Sequence, residues 1–85
     1  MQAGPQVRVT VRYFAAARAA AGAETETVAL NAGTTIAELI DTLSTRDSEL
    51  SRVLARCSFL RDGIAVRDME SALGDAQTVD VLPPF

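Results

Sequence analysis

Val7-Arg8-Val9-Thr10-Val11-Arg12-Tyr13-Phe14 is the stretch on which the fold turns. Val7, Val9, Val11 and Tyr13 share one parity, and Arg8, Thr10 and Arg12 share the other. Successive side chains of a strand point to opposite sides of a sheet, so this alternation predicts a strand with one face in a core and one in water. Phe14 breaks the pattern, because its parity puts a large apolar ring on the polar side.

Downstream of it, Ala15 to Ala21 is an alanine-rich turn or helix carrying Arg18, and Gly22 stands where a helix-ending glycine is favoured. Glu24 to Leu30 reads as a second strand with Val28 and Leu30 on one face, and the short connection makes the two strands a hairpin. After a turn at Asn31-Ala32-Gly33, Thr35 and Glu38 have the spacing of a capping box. Ile36, Leu39, Ile40 and Leu43 then recur at helical spacing, which predicts the main helix over Thr35 to about Arg46 with Glu38 and Asp41 in water. Ser48 is expected to cap a shorter helix through Arg56, with Leu50, Val53 and Leu54 inward. Cys57 to Arg61 and Ile64 to Arg67 read as short strands around Asp62-Gly63, a dipeptide suited to tight hairpins. Asp68 to Asp75 is irregular, with Leu73 plugging the core and a turn at Gly74-Asp75. Gln77 to Leu82 is the last strand, and Pro83-Pro84 stops it by removing backbone donors.

Two strands, a main helix, a short helix and three more strands make an α+β arrangement of one helix layer on one mixed sheet. The final strand is expected to insert centrally, parallel to the first. In it, Val79 and Val81 alternate with Thr78, Asp80 and Leu82. Asp80 belongs in water, so Leu82 faces outward with it. Phe14 and Leu82 would then meet at one end of the sheet, beside the tail, as an apolar docking patch. Phe59 is a weaker third member, its facing undecided between the two sides.

The 85 residues allow one domain, spanning 1–85, with a loose start at 1–6 and a tail beginning at 83–85. All eight basic residues are arginines, spread from Arg8 to Arg67, and the net charge is -3. A nucleic-acid binder needs a concentrated basic face, and this chain has none in its sequence. A mildly acidic surface suits a protein partner with a basic groove. A lone cysteine, Cys57, makes no internal disulfide, which fits a reducing cytoplasm. No signal peptide and no apolar run of membrane-spanning length is visible. With no histidine and one cysteine, metal, iron–sulfur and catalytic-triad sites are not expected. Cys57 reads as a small buried hydrophobe, since nothing in the sequence would activate its thiol. The carboxylate pairs Glu24/Glu26 and Asp68/Glu70 read as solvated surface.

Val11-Arg12-Tyr13-Phe14-Ala15-Ala16-Ala17-Arg18 with Gly22, and Leu73-Gly74-Asp75 followed by Val79-Asp80-Val81-Leu82-Pro83-Pro84-Phe85, resemble the first-strand and final-strand motifs of molybdopterin synthase small subunits. The resemblance runs from about Val7 to Phe85, and the thiamine sulfur carriers are the nearest competing family. It implies a ubiquitin-like β-grasp fold, with about five strands crossed by one main helix and short helices. It also implies a sulfur carrier that is no enzyme and binds no cofactor. An activating enzyme would use ATP to adenylate the C-terminal carboxylate, and a sulfur donor would convert it to a thiocarboxylate. A large catalytic subunit would pass the sulfur to a pterin precursor in molybdenum-cofactor synthesis. Leu82, Pro83, Pro84 and Phe85 would form the tail, while Phe14, Leu82, Arg18 and Phe59 would meet the partner. Arg18 matches a recurrent arginine of the family motif, serving either a partner's acid or the carrier's own loop.

The family's chains end in Gly-Gly, whereas this sequence stops at Phe85. An Ala-Gly-Gly-like end is expected beyond it, the competing reading being a truncated relative without the chemistry. No catalytic residue is therefore assigned. The other readings that stay open are a carrier for thiamine or another acceptor, and a ubiquitin-like interaction domain without tail chemistry.

Overall fold

The computed structural model describes residues 5–84. The strands are β1 (Gln6–Tyr13), β2 (Thr25–Asn31), β3 (Ser58–Arg61), β4 (Ile64–Ala65) and β5 (Gln77–Leu82). The helices are α1 (Ala15–Ala21), α2 (Ile36–Ser44) and α3 (Ser48–Leu54). The sheet order is β2-β1-β5-β3-β4, with β1 and β5 parallel and the other pairs antiparallel. The last strand is thus central, as its alternation and the returning chain require. The mixed five-stranded sheet with helices is a β-grasp arrangement.

Alternation in β1 and β5 survives folding intact. Val9, Val11, Tyr13, Val79 and Val81 are buried and share one cluster with Ile36, Leu39 and Leu43 of α2 and Leu50 and Leu54 of α3. Burial of each such side chain contributes roughly 1.5–3 kcal/mol. Without a disulfide, this cluster is what holds so small a domain together.

Local signals set the element ends. Thr35 accepts from the Glu38 N–H, and Glu38 reciprocates at the Thr35 N–H, closing the capping box. The irregular segment after β4 completes that helix start: Ile36 N–H donates to Ser71 O at 3.2 Å, and Ala37 N–H to Met69 O at 2.8 Å. Leu73 N–H donates back to Thr34 O, which seats the Leu73 side chain in the core. Gly22 ends α1 at φ 73°, a left-handed conformation that a Cβ disfavours. Asp62 (φ 50°) and Gly63 (φ 83°) turn the β3–β4 hairpin.

The structure corrects several expected boundaries. Of the start expected to be loose at 1–6, residues 1–4 lie outside the described residues, but Pro5 O accepts from the Ala32 N–H and Gln6 already pairs with Asn31 in β1. The main helix ends at Ser44 rather than near Arg46, with Thr45 as its C-cap. Asp47, not Ser48, caps α3, because Asp47 is the last extended residue before the helix (φ -160°, ψ 129°) and its carboxylate accepts from the Glu49 N–H at 2.7 Å. That helix stops at Leu54, and two turn residues follow it. Cys57 lies just before β3 rather than in it, and β4 is two residues long instead of continuing to Arg67. Among the described residues, no helix is long and apolar enough to cross a membrane.

Candidate functional site

β5 delivers the chain to Leu82, Pro83 and Pro84 at one end of the sheet. Parallel pairing sets Tyr13 opposite Val81, so the next residues, Phe14 and Leu82, lie together past the same edge. Phe14 N–H donates to Val81 O at 3.2 Å, continuing the ladder one residue beyond β1. Phe14 is itself the N-cap residue of α1, still extended at φ -123° and ψ 147°. A cavity of about 310 Å³ is lined by Phe14, Ala15, Ser58, Leu82, Pro83 and Pro84. Both large apolar side chains are half-buried, and Pro84 is exposed. The structure therefore brings together Phe14, Leu82, Pro83 and Pro84, while Phe85 lies outside the described residues.

Phe59 is a correction. It pairs in register with Val81, whose side chain is fully buried, and directly paired residues share a sheet face. Phe59 accordingly packs against the core, and its neighbour Leu60, paired with Asp80, takes the outer face. Strand register decides this facing, and register between distant strands is invisible in a four-residue segment.

Arg12 lies on the outer face one residue from the end of β1, between Phe14 and Asp80. Its guanidinium sits 5.2 Å from the centroid of the Phe14 ring, and its Nε is 3.2 Å from Asp80 Oδ1. Stacking of this kind is worth about 0.5–1 kcal/mol at an exposed site. Asp80 is less wet than its sequence context suggests, its side chain being 15% exposed. The Arg12–Asp80 contact is a close charge pair without hydrogen-bond alignment, so Asp80 Oδ1 is buried with no hydrogen-bond partner among the described residues.

Arg18 turns to the chain's own loop, its Nη1 lying 3.9 Å from Glu24 Oε2 with both side chains exposed. Such a pair contributes little. Arg18 also borders, with Arg12 and Phe14, a depression of about 270 Å³, which keeps it within reach of anything docked on the patch.

Glu26 is not the solvated acid that its sequence suggests. Tyr13 Oη donates to its carboxylate, and Arg46 Nη2 lies 3.1 and 3.0 Å from its two oxygens. Burial and the Glu26 hydrogen bond together push the Tyr13 phenol up. Burial alone would raise the Glu26 carboxyl, but hydrogen bonds from Tyr13 and Arg46 outweigh it and hold the group below its ordinary value. Helical periodicity over Thr35 to Arg46 gives no hint of this network, because it joins β1, β2 and the residue that follows the C-cap of α2. Asp68 and Glu70 stay at the surface, the Asp68 carboxylate accepting from the Glu70 N–H.

Cys57 is partly buried, and its thiol donates to Val53 O at 3.1 Å. Burial pushes that thiol up, away from the reactive thiolate. Among the described residues, no group of three or more His, Cys, Asp or Glu is placed to hold a metal ion. Chemically, the arrangement is a half-buried apolar ledge beside a proline pair that leaves the sheet.

The ThiS family model matches residues 11–85. The chain belongs to the ThiS family, the ubiquitin-like sulfur carriers. Among solved structures, this ThiS-family chain is similar to the putative molybdopterin converting factor, subunit 1, from Pyrococcus furiosus. The TM-score is 0.83 at 28% identity, over 93% of this chain and 99% of that one. Small archaeal modifier protein 1 from Haloferax volcanii has the same fold, with TM-score 0.80 and 23% identity over 93% and 99% of the two chains. So does a chain of the complex of subunits 1 and 2 of molybdopterin-converting factor from Helicobacter pylori, with TM-score 0.66 and 20% identity over 93% and 96%. No curated protein matches the chain.

Sequence reasoning missed a second feature at this edge. Arg52 and Arg56 line a separate cavity, of about 480 Å³, on the other side of Pro83 and Pro84. Their spacing of four residues was the available signal, but only the fold shows that it points at the tail.

Proposed function

We propose that the chain is the small, sulfur-carrying subunit of molybdopterin synthase, working in the cytoplasm. An activating enzyme spends ATP to adenylate the C-terminal carboxylate, and a sulfur donor displaces AMP to leave a thiocarboxylate. The large subunit receives that tail and transfers its sulfur to a pterin precursor. The small chain contributes no catalytic side chain. It is a rigid handle.

One observation carries the reading: the central strand β5 runs directly into Pro83-Pro84 beside the Phe14–Leu82 ledge. A stiff exit lowers the ordering cost when a partner seats the tail, and a half-buried apolar ledge is the kind of surface that anchors an interface. The likeness to molybdopterin converting factor subunit 1 supports the choice of acceptor, as does the complex that subunit 1 of the Helicobacter pylori factor forms with subunit 2.

Mass spectrometry of the intact natural gene product tests it. Incubated with activating enzyme, ATP and sulfur donor, the protein should gain about sixteen daltons, the exchange of one oxygen for sulfur at its terminal carboxyl. It should also co-purify with the large subunit. An unchanged mass, with a natural chain that stops at Phe85, would end this reading. The ThiS match favours a second reading, a carrier for thiamine or another acceptor. That reading predicts the same mass gain without a large-subunit complex.

A further inference from the structure

Pro83 and Pro84 divide two cavities. On the sheet side is the Phe14–Leu82 ledge, and on the helix side a groove of about 480 Å³ runs between α1 and α3. Its apolar lining comes from Ala16, Val53, Ala55 and the two prolines, while Arg52 and Arg56 supply two guanidinium groups. Both arginines are exposed. Arg52 has only an exposed contact with Glu49, at 3.6 Å, which costs little to exchange. Arg56 has no ion pair among the described residues, in contrast to Arg12, Arg18 and Arg46, each of which sits against an acid of its own chain.

On a chain of net charge -3, this is a local reversal of sign placed at the tail's exit. Arg52 stands in the last turn of α3 and Arg56 just past its C-cap Ala55, and the exposed Glu49 is the one acid paired with either among the described residues. A groove with an apolar floor and a cationic rim is complementary to an acidic segment with aliphatic neighbours. Complementary rim charge acts mainly by steering encounter and fixing register.

Taking the tail as the working end, as proposed above, we infer that the Arg52–Arg56 groove is a second docking surface, occupied by an acidic, aliphatic-flanked segment of the large subunit that receives the tail. The tail is then held from both sides, by apolar contact at the sheet and by charge at the helices. The two contacts are separable, since no residue other than the prolines lines both cavities.

The test is titration calorimetry of the full chain with the cognate large subunit, at about 50 mM and about 500 mM salt, where the screening length shortens several-fold. Arg52→Glu/Arg56→Glu should bind at least tenfold more weakly at low salt, and the gap to wild type should narrow at high salt. Arg52→Lys/Arg56→Lys should stay within about threefold, because steering needs charge rather than fork geometry. Arg56→Ala, which leaves the Glu49 contact alone, should lose about threefold. Isotope-edited amide spectra should show the large subunit perturbing residues 52–56 as well as 14 and 82. Normal binding by the Glu/Glu variant, with Leu82→Asp still abolishing it, would overturn the groove and leave the tail reading standing. No binding by wild type would overturn both. Sedimentation showing a dimer of the chain alone that the Glu/Glu variant dissolves would assign the groove to a second copy and overturn the inference.

Discussion

Val81 and Leu82 are neighbours on β5 with opposite occupations. Val81 is 0% exposed and lies in the cluster built by both central strands and all three helices, whereas Leu82 is half-buried on the ledge beside Phe14 and the tail. The same contrast runs along β1, where Val9, Val11 and Tyr13 are buried while Arg12 stacks on Phe14 at the surface. One backbone thus serves two tasks. Side chains on the inner parity decide whether the domain folds, and those on the outer parity decide what it meets. A period of two separates these tasks so cleanly that single substitutions should divide them.

The largest expected effect is on the outer face. Leu82→Asp should weaken binding to the large subunit at least a hundredfold, about 3 kcal/mol, while thermal unfolding shifts by under about 1 kcal/mol. Val81→Ala should do the reverse. Removing two buried methyl groups costs about 2 kcal/mol of stability, with binding to the same subunit changed less than threefold. Calorimetry and denaturant melts on both variants would break the comparison if either moved both readouts together.

This division was legible in the sequence wherever a long alternating run carried it. Val7 to Tyr13 and Gln77 to Leu82 each present several residues of each parity, so facing follows from counting. The Thr35–Glu38 capping box was equally legible, being a local pattern of side chain and backbone. Short segments gave less. Phe59 faces the core because β3 pairs with β5 in one particular register, which no property of Ser58 to Arg61 announces. Asp47 displaced Ser48 as the α3 cap because both are good caps and the difference is which one sits at the entering bend. Glu26 and Arg46 are twenty residues apart, and only the packing of α2 over the hairpin brings them together. At the candidate site, Phe14 and Leu82 were legible through parity, while the groove at Arg52 and Arg56 needed the tail's position in space.

Glu26 is the exception that sharpens the contrast, because it places a charge on the inner parity of β2, in line with Val28 and Leu30. Its cost is offset by Tyr13 and Arg46. Glu26→Gln should therefore destabilise the domain by about 1–2 kcal/mol at pH 7, the loss of charge-assisted hydrogen bonds. The sign of the pH dependence follows from a carboxyl held below its ordinary value in the folded state. Its contribution is complete above that ordinary value, 4.5, and is lost as pH falls through the depressed one. Urea melts of wild type and variant should differ at pH 7, and the gap should shrink steadily as pH falls below 4.5. A gap that stays constant as the acid limb is approached would mean that shape, not charge, holds the triad.

Arg18 carries the smallest expected effect, at the border between the two parities. Its own-chain partner, Glu24, is 3.9 Å away and both groups are wet, so Arg18→Ala should change stability by less than about 0.5 kcal/mol. Because Arg18 shares a depression with Arg12 and Phe14, docking on the ledge would bring a partner's acid within its reach. Affinity for the large subunit should fall about threefold in Arg18→Ala, mainly through slower association, and the loss should shrink in high salt. Rapid-mixing kinetics separate this from the alternative. A slower association rate places Arg18 with the outer face, whereas an unchanged rate with a lowered melting temperature would return it to the fold, as a clamp on the loop joining α1 to β2.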